Sequence, residues 1–138
     1  MRERLFKGFH PDENGKTEIT LNGKKIKGEW VYGDLSQHKT GKRFIKSGSA
    51  IHSFEVIPET VCEYVKDDSK GNQVFENDIV KIDYTDLEVG LIKITGQIVW
   101  NQEIGGYLIH ETAYCRNYDI RYHEEMEVVG NAFDRPNF

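Results

Sequence analysis

The sequence predicts an all-β fold, mainly strand: an N-terminal β-meander packed on a small SH3-like β-barrel. Three observations predict it. Short runs rich in β-branched and aromatic residues alternate in polarity with period two, the signature of half-buried strands. Gly, Asn and Asp clusters separate these runs, and Asn22-Gly23 is the strongest short hairpin signal. No stretch keeps a 3.6-residue apolar period beyond one turn near Glu111 to Asn117. We divide the chain into residues 1–62, the meander with a basic hairpin or loop, and 63–138, the barrel; one compact unit over 1–138 is the alternative.

Taken in order, Met1 to His10 reads as an edge strand, anchored by Leu5, Phe6 and Phe9 and carrying Arg2, Arg4 and Lys7. Pro11 to Gly15 is a hairpin-type turn. Thr17 to Leu21 alternates, turns at Asn22-Gly23, and returns as Lys24 to Tyr32 with Ile26, Trp30 and Tyr32 on one parity. Ser36 to Ser49 is the most polar stretch and reads as a long hairpin or mobile loop. Ala50 to Ile57 is a strand candidate. Pro58 forces Ile57 into an extended conformation, and Cys62 to Val65 continues as strand.

The organising stretch is Gly71 to Tyr84. Asp67 to Asn72 is polar and favours a reversal at Gly71. Val74 and Phe75 are the first apolar pair after it. Glu76-Asn77-Asp78 makes a second corner, since Asn tolerates positive φ and Asp bonds its own backbone. Val80, Ile82 and Tyr84 then share one face, while Ile79 breaks the alternation as the buried start of a barrel strand does. Thr85 to Gly90 reads as a loop. Leu91 to Trp100 is the longest strand, with Ile92, Ile94, Ile98 and Trp100 on one face and Gly96 in the same register. A mid-strand glycine marks a bulge or bend of the kind a closing barrel requires. Gly106 to His110 pairs back, Ile120 to Tyr122 is a short strand, and Glu127 to Asn131, with Gly130, ends the sheet.

The 138 residues suffice for a core, and 38% apolar content with 12% aromatics excludes a disordered chain. No apolar run approaches the ~20 residues of a membrane-crossing helix, and no apolar segment follows Met1-Arg2-Glu3-Arg4 to make a secretory signal. A cytoplasmic protein with two reduced thiols, Cys62 and Cys115, is the expectation; a disulfide is the alternative.

Charge divides unevenly. Residues 1–50 hold 11 Lys and Arg against 6 Asp and Glu, whereas residues 51–138 hold 7 against 17. The opposite halves are either ordinary solvated faces or surfaces that meet each other, within one chain or between subunits. Lys39, Lys42, Arg43 and Lys46 surround Phe44, and Lys24, Lys25 and Lys27 lie on the preceding hairpin. An aromatic among cations suits single-stranded nucleic acid, while the acidic second half opposes it. A basic hairpin on an otherwise acidic chain equally suits a homo-oligomer.

No chemistry of catalysis stands out. His10, His38, His52, His110 and His123 fall into no ligand spacing, so no metal is expected. Cys62 with His52 and Cys115 with His110 can be paired on paper, but nothing marks either thiol as activated. Glu76, Asp78, Asp83, Asp86 and Glu88 are dense enough for an acid–base pair, yet such carboxylates more often satisfy turn backbones and keep edges soluble. Phosphate-cradling glycine motifs are missing, and no cofactor is implied.

The chain also resembles the YopX family, encoded mainly by phages and prophages. The matching pieces are Arg2 to Phe9, Trp30 to Leu35, Ile57 to Val61, Asp67 to Gly71 leading into Val74 to Val80, and Glu127 to Asn131 with a tail ending Pro136-Asn137-Phe138. They lie in order from end to end. Asn77 stands where the family more often has Gly, a natural exchange at a positive-φ corner, and Val65-Lys66 stands where Thr-Gly is commoner. The resemblance implies a mostly β fold and a phage origin, and it carries over no catalytic residues.

Overall fold

The computed structural model describes residues 5–46, 53–122 and 125–133, apart from the side chains of Asp86 and Tyr122. Among these residues lie twelve antiparallel strands, two short 3-10 turns and no α-helix. The chain forms two compact units, Met1–Tyr64 and Val65–Phe138. Residues 1–4, 47–52, 123–124 and 134–138 lie outside the described residues, and with them Arg2, Arg4, His52, His123 and the terminal Pro136-Asn137-Phe138.

In the first unit, β1 (Phe6–Pro11) and β2 (Thr17–Leu21) both pair with the long β3 (Lys24–Gln37), β1 along residues 28–33 and β2 along residues 24–28. Pro11 and Thr17 share Gly28 as partner from its two edges: Lys27 turns its carbonyl away from β2, to the Asp12 N–H on the β1 side, and the excursion of residues 12–16 crosses from one edge to the other. The expected three-strand meander is therefore reordered, with β3 between β1 and β2; only β2 and β3 form a hairpin, closed at Asn22-Gly23, where φ is 52° and 79°. The excursion forms because Asp12 Oδ1 accepts the Asn14 N–H at 2.9 Å and Asp12 O accepts the Gly15 N–H. Two glycines make room for it: a Cβ on Gly15 would lie 2.4 Å from Gly28 Cα, and one on Gly28 would lie 2.1 Å from His10 O.

β3 continues past Gly33 to pair with β4 (Arg43–Lys46), which pairs with β5 (Ser53–Val56). Ile57 N–H then donates to Phe9 O at 3.0 Å, bringing the end of this series back to β1. Ile57 is extended, with φ −70° and ψ 122°, as its following proline requires. The 3-10 turn Pro58–Thr60 buries Thr60, whose Oγ1 accepts the Phe9 N–H at 2.9 Å and donates to Ile57 O at 2.6 Å. Phe9, Ile19, Ile45, Val56 and Cys62 supply the buried apolar side chains, and Phe9 meets Trp30 edge-on with ring centroids 5.3 Å apart. β6 (Cys62–Asp67) opens with Cys62 and Glu63 paired to β1 and carries the chain into the second unit, where β7 (Gln73–Phe75) is its neighbour.

The second unit holds a five-stranded sheet in the order β11-β10-β9-β8-β12, with β8 at Asp78–Asp86, β9 at Gly90–Asn101, β10 at Gly106–Glu111, β11 at Arg116–Asp119 and β12 at Glu127–Asn131. The path has two ends, so the sheet is open where a closed barrel was expected. Val80 and Ile82 of β8, Ile94 and Ile98 of β9, and Ile109 of β10 pack with Val74, Ile120 and Met126 into its core. Ile79 is buried as well, on the opposite parity.

Three expectations need correction. Trp100 shares a parity with Ile94 and Ile98 but is 50% exposed, stacked edge-on with Tyr107 at the end of β9; alternation sets the face, not how far the core extends along it. Gly96 holds its register opposite Val80, with no bulge. Its bare Cα instead lets β10 approach, since a Cβ would meet Ile109 Cγ2 at 2.7 Å and His110 O at 2.8 Å. The register shift lies between Val128 and Gly130 in β12. Finally, Ile120–Tyr122 is a 3-10 turn where a short strand was expected, and the strand of that region is β11, joined to β10 through a tight turn with Cys115 at φ 52°.

Candidate interaction surfaces

The basic segment is an ordered hairpin as far as Lys46. Asp34, Leu35, Ser36 and Gln37 pair with Lys46, Ile45, Phe44 and Arg43, and His38 to Lys42 make the turn, with Gly41 at φ 89°. Ile45 is fully buried and anchors the hairpin; Phe44 and Lys46 point away from it. Phe44 is half-buried against the His38 ring, centroids 4.5 Å apart. Lys39, Lys42 and Lys46 are exposed. Arg43 turns back instead, donating from Nη1 to Gly41 O at 2.8 Å, so its charge serves the turn. Carboxylates interrupt the cationic face: Glu55 lies opposite Phe44 and Asp34 opposite Lys46. At the other hairpin Lys24, Lys25 and Lys27 are exposed, with Glu18 opposite Lys27.

The fold-motif residues all sit at turns or close approaches in the second unit. Gly71 has φ 84° in the turn from Asp68 to Asn72. Asp68 is 7% exposed, and its carboxylate accepts the N–H groups of Lys70, Asn72 and Val128 at 2.9, 2.8 and 3.1 Å, plus Asn72 Nδ2 at 3.3 Å. Burial pushes this carboxyl up, but the amides of Val128, Asn72 and Lys70 outweigh it and hold the group below its ordinary value. Lys70 reaches Glu127 at 2.9 Å, and that partner raises the ammonium pKa. Asn77 has φ 70°; its N–H donates to Ile98 O, its carbonyl accepts from Ala132, and its Oδ1 accepts from Gln97 Nε2. Asp78 Oδ2 takes the N–H of the buried Phe75 at 2.8 Å. Gly130 follows the β12 register shift.

One surface escaped the sequence reading. The β8–β9 connection is not a slack loop: Thr85 and Asp86 pair with Leu91 and Gly90, leaving a three-residue turn, Leu87-Glu88-Val89, closed by Gly90 at φ 89°. Leu87, Val89 and Leu91 are 102%, 75% and 66% exposed. Three large apolar side chains within five residues of a turn were the available signal.

Elsewhere, an open cleft of about 410 Å³ in the first unit is lined by His10, Pro11 and residues 55–58, with His10 Nδ1 hydrogen-bonded to Glu55 O at 2.7 Å. Among the described residues no three His, Cys, Asp or Glu side chains gather to hold a metal ion. Neither cysteine is in a disulfide: Cys62 is buried, with Sγ on Thr60 O, and Cys115 is exposed. No helix among the described residues is long and apolar enough to cross a membrane.

The YopX protein family model matches residues 6–138. No curated protein and no solved structure matches the chain.

Proposed function

Because the chain belongs to the YopX family over nearly its whole length, we propose that it is a phage- or prophage-type accessory protein of the host cytoplasm that works by binding and self-association, not by catalysis. One observation carries this reading. The first unit, residues 1–64, bears 11 Lys and Arg against 9 Asp and Glu and displays Lys39 and Lys42 at a hairpin turn; the second, residues 65–138, bears 7 against 14. A protein with cations displayed on one unit and a strong excess of carboxylates on the other is attracted to further copies of itself. The second unit serves as the acidic body, an SH3-like barrel left open between β11 and β12 in our reading, with β9 drawn close to β10 at Gly96.

Light scattering on a sizing column tests the proposal. At low salt the mass should exceed the 16.0 kDa of one chain, and it should fall toward that value near 1 M salt, where screening acts over only about 3 Å. A 16.0 kDa species at every salt concentration refutes self-association.

A second reading, single-stranded nucleic-acid binding, draws on the His38–Phe44 ring pair beside Lys39 and Lys42, since bases stack on such rings. Asp34 and Glu55 on the same hairpin face weigh against it. Fluorescence anisotropy of a labelled oligonucleotide that stays flat at low salt removes this reading.

A further inference from the structure

We infer that the tip of the β8–β9 hairpin is the docking element of this self-association, and that it seats against the basic 38–46 hairpin of a second copy of the chain. The inference rests on the self-association proposed above and names its two surfaces.

The turn chemistry does not require the tip's composition. A three-residue hairpin turn needs a residue such as Gly90 in the left-handed region and accepts polar residues at the other positions. Here Leu87 and Val89 occupy them, with Leu91 beside them, all largely in water. Pairing through Asp86 and Gly90 fixes this apolar display in place, so presenting it carries little ordering cost. Clustered exposed apolar residues with a polar rim mark contact sites.

The rim selects the occupant. Glu88 is exposed on the turn and Asp83 farther down β8, opposite the exposed Lys93; in a unit with 14 Asp and Glu against 7 Lys and Arg, the balance repels phosphate and favours a cationic partner. The chain itself offers one: Lys39 and Lys42 are exposed beside the half-buried Phe44. Area supports a paired contact. Three such side chains offer roughly 300 Å² of apolar surface, short of the about 800 Å² per partner of a standard interface. Each chain carries one tip and one basic hairpin, so a two-fold dimer uses both contacts and closes on itself.

Charge exchange tests this directly. Variant one carries Asp83→Lys and Glu88→Lys; variant two carries Lys39→Glu and Lys42→Glu. All four positions are exposed, and circular dichroism checks folding. Each variant alone should run as a monomer by light scattering, because its two surfaces then share a sign. Mixing them one to one should restore a species of twice the mass. A third variant, Leu87→Ser with Val89→Ser, should weaken wild-type assembly at least tenfold. If this variant, or variant one alone, assembles like the wild type while variant two does not, the tip is not the counter-surface, although self-association stands. If the mixture stays monomeric, the tip and the basic hairpin are not partners, and the inference falls. A wild type monomeric at every salt concentration removes the underlying reading and the inference with it.

Discussion

Replacing Asp68 with asparagine removes one negative charge and almost no volume. The carboxylate is nearly buried and takes the N–H groups of Lys70, Asn72 and Val128. Two of these order the turn that leads to β7; the third fastens that turn to β12, 60 positions along the chain. A hydrogen bond to a charged group contributes about 1.5–3 kcal/mol, and contributions within one network do not add. Asp68→Ala leaves three amides unmatched, with water able to reach some of the turn, and should cost about 3 kcal/mol. Asp68→Asn turns an NH₂ toward at least one of the former donors and should cost about 2 kcal/mol.

Urea unfolding followed by circular dichroism measures both. With a slope of about 1.5 kcal/mol per molar for a chain of this size, the midpoint should fall by about 2 M for Asp68→Ala. The pH dependence is the sharper check. The folded pKa lies below the unfolded value of about 3.9. The contribution is therefore present above the unfolded value and is lost as pH falls through the folded one. The gap between wild type and Asp68→Asn should be full at pH 7 and shrink below about pH 4. A gap within 0.5 kcal/mol of zero at pH 7, or one unchanged at pH 3, refutes the clamp.

Other positions give equally definite expectations. Asn77→Ala keeps a β-carbon at φ 70° without the polar side chain that eases that conformation and removes the Gln97 bond, and should cost about 2 kcal/mol by thermal or urea melting; Asn77→Gly, which suits that φ, should cost less than half as much. Gly96→Ala drives a methyl to within 2.8 Å of the His110 carbonyl and should destabilise by about 2–3 kcal/mol in the same measurement. Thr60→Val keeps the shape but leaves the buried Phe9 N–H unmatched, costing about 1–3 kcal/mol, whereas Thr60→Ser should retain most of the stability. Equal melting points for the valine and serine variants would contradict the role given to that hydroxyl.

The corners were legible and the pairings were not. Glu76-Asn77-Asp78 could be read because its chemistry is local: Asn accepts positive φ, and the Asp side chain bonds an amide three residues back. Gly71 was legible for the same reason. Pairing partners depend on distant segments. Nothing within residues 11–17 says that the strands on either side flank β3 and do not pair with each other, since both arrangements carry the same alternation. Trp100 and the tip residues show the complementary limit. Apolar residues are common both in cores and on surfaces, so the sequence did not separate the buried Ile94 and Ile98 from the exposed Leu87 and Leu91. Gly96 announced a special backbone position, but a bulge and a close approach call for the same residue.

The buried polar groups bear on how such a protein works. A catalytic carboxylate needs a lone pair aimed at a reactant, and a general base works at its best with a pKa near the working pH. Asp68 spends its oxygens on four donors and is held below its ordinary value. Asp78 holds the Phe75 amide, and the Thr60 hydroxyl bridges Phe9 and Ile57. These groups fix turns against strands, and fixed turns are what the proposed binding role requires. Lys39, Lys42, Leu87 and Val89 all lie on turns whose flanking strands are paired in register. A partner meeting these tips finds them already ordered, so less of the contact energy goes into fixing loops. Loosening a tip should therefore weaken association even where every contacting side chain is kept. Gly90→Val, which strains the left-handed position closing the 87–89 turn, should reduce self-association severalfold by light scattering while lowering the stability measured by urea unfolding by no more than about 3 kcal/mol, with the fold retained. Unchanged association in that variant would mean that preorganisation of the tip contributes nothing.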